Sequence, residues 1–142
     1  MKLNTFTDYC LRTLIYLALQ PEQMVTRAEI AQAYQISDNH LMKVIHFLGL
    51  NGFLVTQKGR NGGIRLALAP SKLNIGELVR LCEEDIAMVE CFEDESQCKI
   101  DGMCRLKGIL AEAREAMYQS LSQYYLSDLV TNAKHLTIQL HL

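Results

Sequence analysis

Apolar residues recur at helical spacing in three stretches of the first fifty positions. The spacing predicts helices over residues 6–20, 27–34 and 38–51, and Pro21 ends the first of them. The residue types ahead of these stretches predict the N-terminal caps Thr5, Thr26 and Ser37. Two short helices joined by a tight turn, as the second and third are, are typical of a helix-turn-helix.

The third predicted helix has one apolar face and one polar face. Its apolar positions are spaced for contact with a core and comprise Leu41, Val44, Ile45 and Leu48. The opposite face carries Asn39, Met42, Lys43 and His46, with Ser37 and His40 at the N-terminal end. Such a face can enter a DNA major groove and touch base edges. An ordinary solvent-exposed helix has the same pattern, so this face alone leaves both interpretations open.

Two short β-runs follow, over residues 52–56 and 64–68, around a glycine-rich turn. A hairpin directly after a helix-turn-helix is a wing, and its cations suit phosphates or a narrow minor groove. In a plain hairpin the same cations would only deter edge pairing. The order of the elements favours DNA binding. The predicted DNA contacts are Thr26, Arg27, Ser37, Asn39, His40, Lys43, Lys58, Arg60, Asn61 and Arg65.

The second half predicts a fourth helix from about Asn74 to Glu83, a long helix from about Cys104 to Tyr125, and a mixed tail from Ser127. The long helix has an apolar stripe that so small a core does not need, which predicts a dimer seam. The stripe comprises Leu106, Ile109, Leu110, Ala113, Met117 and Leu121. The predicted fold class is mainly α with a small β-hairpin, a winged helix-turn-helix plus a long dimerisation helix. The predicted divisions are a DNA-binding domain over 1–80, a cysteine-bearing loop over 81–103, and the dimerisation helix with the tail over 104–142.

Composition and charge narrow the class of protein. Hydrophobic residues make up 49% of the 142 residues and charged residues 21%, which is enough for a folded core. No apolar run approaches the roughly 20 residues that span a bilayer, and Asp8 and Arg12 interrupt the first helix, unlike an export signal. We therefore expect a cytoplasmic protein without a membrane partner. The net charge of −2 divides into +4 over residues 1–80 and −6 over residues 81–142. The basic half coincides with the predicted DNA-binding elements, although a charge of +4 is also ordinary for a solvated surface.

Five cysteines, an odd number in a chain without an export signal, favour reduced thiols over disulfides. Cys91, Cys98 and Cys104 crowd one acidic stretch, and thiolates select zinc, Cu(I) or iron–sulfur clusters. Zinc modules usually pair ligands about two to four residues apart, so the wider spacing here favours a larger group such as an iron–sulfur cluster. Cys10 and Cys82 have apolar neighbours on predicted helices and are predicted core residues. No arrangement typical of a nucleophilic or acid–base active site is present, so an enzyme is not expected.

Five segments carry a resemblance to a known family. They are TFTDYCLRTLIYLA, ISDNHLMKVIHFLGLNGFL, GRNGGIRLA, IGELVR and the three-cysteine stretch that ends in CRLK. Together they resemble the nitric-oxide-sensing branch of the iron–sulfur winged-helix repressors, a family that also includes IscR. The resemblance covers about residues 1–130. It implies a homodimer that binds double-stranded operator DNA and responds to nitric oxide as its signal, releasing genes of nitric oxide detoxification.

The resemblance also implies a cofactor and its ligands. An iron–sulfur cluster, [4Fe–4S] in preference to [2Fe–2S], would take Cys91, Cys98 and Cys104 of one protomer and Asp8 of the partner subunit. IscR-like members use a His at the position of Lys107, so their ligand set is absent. Asp8 has a second interpretation, as an acid that faces the positive end of its helix. Less favoured acidic ligands are Glu90, Glu93, Asp94 and Asp101.

Two other functions stay open at this point. One is an iron–sulfur regulator that senses redox or iron status, because the type of cluster is not readable from the ligand count. The other is a zinc-stabilised winged-helix adaptor that binds protein.

Overall fold

The structure is a computed structural model that describes residues 2–83, 87–92 and 97–142. Its helices are α1 (Thr5–Leu19), α2 (Arg27–Tyr34), α3 (Asp38–Leu50), α4 (Ile75–Glu83), α5 (Arg105–Leu121), α6 (Leu126–Leu129) and α7 (Ala133–Gln139). Its strands are β1 (Leu54–Gln57) and β2 (Gly63–Leu66), and short 3-10 turns cover Pro70–Lys72 and Glu90–Phe92. The predicted class, mainly α with a small β-hairpin, is confirmed.

The chain divides into two compact units, Met1–Asn74 with Tyr125–Leu142 and, separately, Ile75–Tyr124. None of the helices in the described ranges is long and apolar enough to cross a membrane.

The core of the first unit forms where the apolar faces of its helices meet. Leu14 of α1 and Leu41 of α3 are buried there. Phe6 and Phe47 join the same two helices edge to face, with their ring centroids 5.2 Å apart. Cys10 is fully buried on α1, which confirms its prediction as a core residue.

Side-chain caps fix where the two helices of the helix-turn-helix begin. Thr26 and Glu29 form a reciprocal capping box, in which the Glu29 N–H donates to Thr26 Oγ1 at 3.3 Å and the Thr26 N–H donates to the Glu29 carboxylate at 2.6 Å. The hydroxyl of Ser37 accepts the His40 N–H at 3.4 Å and caps α3. Both predicted caps are confirmed. Gln35 ends α2 with a left-handed φ of 54° and turns the chain between the two helices.

The predicted cap of α1 is wrong by one residue. Asn4 is the cap, since its Oδ1 accepts the Phe6 N–H at 3.1 Å, and Thr5 is already helical. Asn is the stronger capping residue of the two, so the helix begins earlier. The first strand also begins later than predicted. The Phe53 N–H donates to the Leu48 carbonyl at 2.9 Å, so the residues after α3 close that helix before β1 starts.

β1 and β2 pair antiparallel, and Gln57 stands opposite Gly63 at the turn end. Gly62 shapes this turn, because a Cβ there would overlap the Gln57 carbonyl oxygen. On the outer side of β2, Val25 and Ile64 exchange two N–H···O bonds of 3.0 and 2.7 Å. These bonds tie the hairpin to the segment that leads into α2.

The second unit packs α4 on α5. Arg80 donates two hydrogen bonds to the Glu115 carboxylate, at 2.9 and 2.7 Å, and its guanidinium carbon lies 4.5 Å from the centre of the Tyr118 ring. Gly76 of α4 lies against Ser122, so closely that a Cβ would overlap the Ser122 hydroxyl oxygen. These contacts hold the two helices that flank the cysteine segment.

α5 ends four residues before the predicted Tyr125. Ser122 closes the last turn, because its N–H and its hydroxyl both donate to the Tyr118 carbonyl, at 2.9 and 2.8 Å. Tyr125 then forms an isolated β-bridge with Asn74, an extended pairing that a continuing helix would prevent. The tail, for which the sequence predicted a mixed segment, forms α6 and α7, and Leu126 is fully buried.

Candidate DNA-binding surface and cysteine segment

The predicted contacts of the helix-turn-helix cluster at the N-terminal ends of α2 and α3. Thr26, Arg27, Ser37, Asn39 and His40 are all exposed there. Free backbone N–H groups and the positive end of the helix dipole make such ends favourable for phosphate. This surface can therefore bind the DNA backbone while the exposed face of α3, which also bears Lys43, reaches the base edges.

An acid that the sequence pattern did not single out holds Arg27. The Arg27 Nε donates to Asp38 Oδ1 at 2.6 Å and joins the first turns of α2 and α3. The bond uses Nε, which leaves the two terminal guanidinium nitrogens for a phosphate. Asp38 fixes the position of the cation and at the same time places a negative charge on the candidate DNA-binding surface.

His40 is positioned by two neighbours. Its Nδ1 lies 3.0 Å from the Ser37 hydroxyl oxygen, and its ring centroid lies 6.0 Å from that of Tyr9. Ser37 therefore caps α3 and also orients the imidazole. The arrangement leaves Nε2 of His40 for an outside partner such as a base edge or a phosphate.

The hairpin completes the basic surface. Lys58, Arg60 and Asn61 are exposed in its turn, and Arg65 is exposed on β2 opposite Val55. Residues 39–76 contain five Lys or Arg and no Asp or Glu. Clustered cations attract phosphates, and this run of cations is a sharper signal than the balance over the whole first half.

Three half-buried cysteines, none of which forms a disulfide, lie on the segment between α4 and α5: Cys91, Cys98 and Cys104. Cys91 is in a 3-10 turn, the Cys98 carbonyl accepts the Asp101 N–H at 3.1 Å, and Cys104 is the N-cap residue of α5. Cys82 is buried on α4, which confirms its prediction as a core residue. Among the described residues, no three His, Cys, Asp or Glu side chains are grouped to hold one metal ion.

Two contacts tie the cysteine segment to α5. The Lys107 ammonium lies 3.1 Å from the Asp101 carboxylate, which also accepts the Gly102 N–H at 2.9 Å. The guanidinium carbon of Arg114 lies 4.7 Å from the centre of the Phe92 ring. Lys107, which stands where the resemblance implies a His in IscR-like members, thus pairs with Asp101.

The chemistry of these donors fits a soft cofactor. Three reduced thiols lie in one segment, and thiolates are the usual ligands of iron–sulfur clusters. Two of the less favoured acids are engaged elsewhere, because Glu90 accepts the Gln97 N–H at 3.1 Å and Asp101 is paired with Lys107. The other two, Glu93 and Asp94, lie outside the described residues.

Asp8 belongs to the first unit and lies half-exposed in the first turn of α1. Its carboxylate is 2.9 Å from the Arg12 Nε, and the Arg12 guanidinium carbon lies 5.8 Å from the centre of the Tyr34 ring. Burial raises the pKa of Tyr34 to about 12, so this phenol is neutral beside the pair. An open cleft of about 550 Å³ borders all three side chains. Asp8 is therefore an acid near a helix N-terminus that pairs with Arg12, and the cleft leaves its carboxylate accessible to solvent.

A helix-turn-helix followed by a basic hairpin defines the chain as a winged-helix DNA-binding protein. Comparison with known families identifies it further. Residues 3–132 match the family described as "Rrf2: Iron-dependent Transcriptional regulator". The chain belongs to the Rrf2 family of transcriptional regulators.

Similar proteins of known name agree with this assignment. The chain is 51% identical over 134 residues to the HTH-type transcriptional regulator NsrR of Shouchella clausii strain KSM-K16, with 93% of this chain and 90% of the relative covered. It is 48% identical over 134 residues to the NsrR of Bacillus subtilis strain 168, with coverages of 93% and 92%. These relatives and the family match confirm the resemblance to this group of winged-helix regulators.

Solved structures agree on the fold. CymR, described as the global cysteine regulator of B. subtilis, superposes with a TM-score of 0.71 at 27% identity, over 93% of this chain and 98% of CymR. IscR of T. potens superposes with a TM-score of 0.73 at 22% identity, over 94% of this chain and 88% of IscR, which bears on the fold alone.

Proposed function

We propose that this protein is a cytoplasmic repressor that binds operator DNA as a homodimer and releases it when nitric oxide reacts with an iron–sulfur cluster. The genes released would serve nitric oxide detoxification. The observation that carries the proposal is the cysteine segment, with three half-buried cysteines that form no disulfide between α4 and α5 of a winged-helix regulator. The name NsrR of several relatives and the iron dependence in the family's description support it.

Cys91, Cys98 and Cys104 would hold the cluster, with Asp8 of the partner subunit as the fourth ligand. We favour [4Fe–4S] over [2Fe–2S]. The bound cluster would supply iron that reacts with nitric oxide, most readily at the corner held by a hard oxygen ligand on a soft site. Asp8 has an alternative partner in Arg12 of its own helix, 2.9 Å away. A carboxylate released from ligation would therefore not be left as an unpaired charge.

The packing of α1 supplies a route from Asp8 to the DNA-binding surface. α1 lies on α3, and the Phe6–Phe47 contact joins the two helices. A shift of α1 would therefore move α3. Dimeric readers require their half-sites about 34–36 Å apart, or a multiple of that spacing, so a modest change between two recognition helices abolishes binding.

The exposed stripe of α5 supports a homodimer. Leu106 and Ile109 are 55% and 57% exposed, large fractions for apolar side chains on one helix. Apolar surface of this kind is usually covered by a partner. The same stripe on a second copy would cover it and bring two helix-turn-helix elements onto one duplex.

The exposed residues of the candidate surface divide into two proposed roles. Cations and capping residues that would hold phosphates are Thr26, Arg27, Ser37, Lys58, Arg60 and Arg65. Residues that would approach base edges or the groove floor are Asn39, His40, Lys43 and Asn61.

A second candidate function is a regulator that senses iron or redox status through the same cysteines. The description of the family as iron-dependent favours it. Under this alternative, loss of iron or a change of oxidation state would alter DNA binding, and nitric oxide would act no faster than other oxidants.

The cofactor can be tested with matched cysteine variants purified without oxygen. Cys98→Ser should lose iron, acid-labile sulfide and visible absorbance together, because it removes a proposed ligand. Cys82→Ser changes a buried cysteine outside the ligand set and should keep all three. Wild-type protein that carries zinc and no colour would refute the iron–sulfur proposal and favour the zinc-stabilised adaptor.

The role of Asp8 needs a control for its local ion pair. Asp8→Ala removes both the proposed ligand and the partner of Arg12, whereas Arg12→Gln breaks the same pair and keeps the carboxylate. We expect Asp8→Ala to retain some DNA binding with a blunted nitric oxide response, and Arg12→Gln to respond as the wild type does. An unchanged response in Asp8→Ala would rule out Asp8 as the trigger.

A further inference from the structure

Met42 is an apolar side chain on the exposed face of α3. It is 49% exposed, and it lies one turn after Asn39 and one turn before His46, both of which are polar and exposed. The buried face of α3 is filled by other residues, namely Leu41, Val44 and Leu48. Met42 is therefore not required to pack this helix, and its side chain points the same way as the candidate base contacts.

An open cleft of about 530 Å³ lies between α3 and β1 beside Met42. Leu50 and Val55, 75% and 40% exposed, lie along it, and none of its lining residues is acidic. A cleft without carboxylates presents no anionic side chain that would repel a phosphate backbone. The cleft also leaves the Met42 side chain room to change rotamer, and methionine adapts readily to irregular apolar surfaces.

The major groove of DNA offers one apolar group, the C5-methyl of thymine. Polar side chains flank Met42 on the recognition face, so Met42 is suited to this group while its neighbours are suited to hydrogen bonds. We propose that Met42 contacts a thymine methyl and selects thymine at one position of each operator half-site. The inference rests on the proposed function, because it requires α3 to lie in the major groove.

The test starts with duplexes that the wild-type protein selects from a random-sequence library. In a selected duplex, each thymine is replaced singly by deoxyuridine, which removes the methyl group and preserves base pairing. At one symmetry-related pair of positions, each replacement should weaken wild-type binding about fourfold, the equivalent of roughly 0.8 kcal/mol for one buried methyl group.

Variants then assign the effect to Met42. Met42→Gln has a similar length and a polar end, so it should bind thymine and deoxyuridine duplexes within about twofold of each other. Met42→Leu keeps an apolar end and should retain the preference for thymine. Leu50→Gln is the matched control, since it changes an exposed apolar residue of the same cleft and should keep the wild-type sensitivity.

The outcomes separate this inference from the proposed function. If the wild type binds its selected duplexes but no thymine methyl matters, or if Met42→Gln keeps the sensitivity, the contact is refuted while DNA binding stands. If Met42→Gln lowers the sedimentation mass instead, the cleft is covered by a second copy of the chain, and the contact is again refuted. If no duplex is enriched at all, the proposed DNA-binding function fails and the inference fails with it.

Discussion

Replacing Gly76 by alanine tests how closely α4 is held against α5. Gly76 is buried in the first turn of α4. A Cβ at this position would lie 2.5 Å from the backbone nitrogen and 2.7 Å from the Cα of Ser122, and it would overlap the Ser122 hydroxyl. The hydroxyl could rotate away, but the two backbone atoms could not. The added methyl group would therefore force the two helices apart.

The magnitude follows from two opposing effects. Overpacking of a tight contact costs about 1–3 kcal/mol, and replacing glycine by alanine in a helix returns up to about 1 kcal/mol. We expect Gly76→Ala to lose about 1–2 kcal/mol of unfolding free energy, or roughly 3–6 °C in Tm. Gly108 in α5 is the matched control, because a Cβ there would meet no atom of the described residues within 4 Å. Gly108→Ala should gain up to about 1 kcal/mol.

Urea and thermal unfolding of the reduced proteins, followed by far-ultraviolet circular dichroism, measure both changes. The unfolding midpoints of Gly76→Ala should be lower than those of the wild type, and the midpoints of Gly108→Ala should be higher. Because α4 and α5 flank the cysteine segment, Gly76→Ala should also speed the reaction of its thiols with a disulfide reagent. A Gly76→Ala protein as stable as the wild type would refute the close approach of α4 to Ser122.

Three further predictions concern charge, pH and assembly. Asp38→Asn removes a negative charge beside Arg27. Fluorescence anisotropy should therefore detect about fivefold tighter binding to a nonspecific duplex at low salt, which corresponds to roughly 1 kcal/mol of charge interaction. Weaker binding would mean that Asp38 acts chiefly by positioning Arg27. The pKa of Tyr34 is raised to about 12 by burial, so the folded state holds this proton more tightly than the unfolded state does. The contribution of Tyr34 to stability is complete below about pH 10 and is lost as the pH rises toward 12. In urea unfolding, Tyr34→Phe should therefore lose less stability than the wild type over this pH range. An equal loss in both proteins would contradict this prediction. Ile109→Glu on the exposed stripe of α5 should shift the sedimentation mass from dimer to monomer, whereas an unchanged dimer would place the interface elsewhere.

Features set by neighbouring residues were predictable from the sequence. The caps Thr26 and Ser37 were predicted correctly because each cap bonds to a backbone group three residues ahead. Features that depend on distant pairing were not. The end of α5 is one example, since the bridge between Asn74 and Tyr125 that follows it joins residues fifty-one positions apart. Asn4 and Thr5 are both capping residues, and a type preference alone did not decide between them.

In the candidate site too, local features were predictable from the sequence and contacts between distant residues were not. The two faces of α3 and the basic hairpin were read from local spacing, and the structure exposes the predicted DNA contacts on them. The pair between Arg27 and Asp38 joins two helices across the turn and has no sequence signature. Lys107 was identified as a departure from the IscR pattern, but its bond to Asp101 depends on how the segment before α5 turns. The cysteine ligands and Asp8 remain predictions.

The most direct test of the central claim is a nitric oxide titration of protein purified without oxygen, with visible absorbance and operator binding followed in the same sample. We predict that the absorbance of the cluster and the DNA complex disappear together as nitric oxide is added. A brown protein that keeps its DNA through several equivalents of nitric oxide would contradict the claim and favour a regulator of redox or iron status.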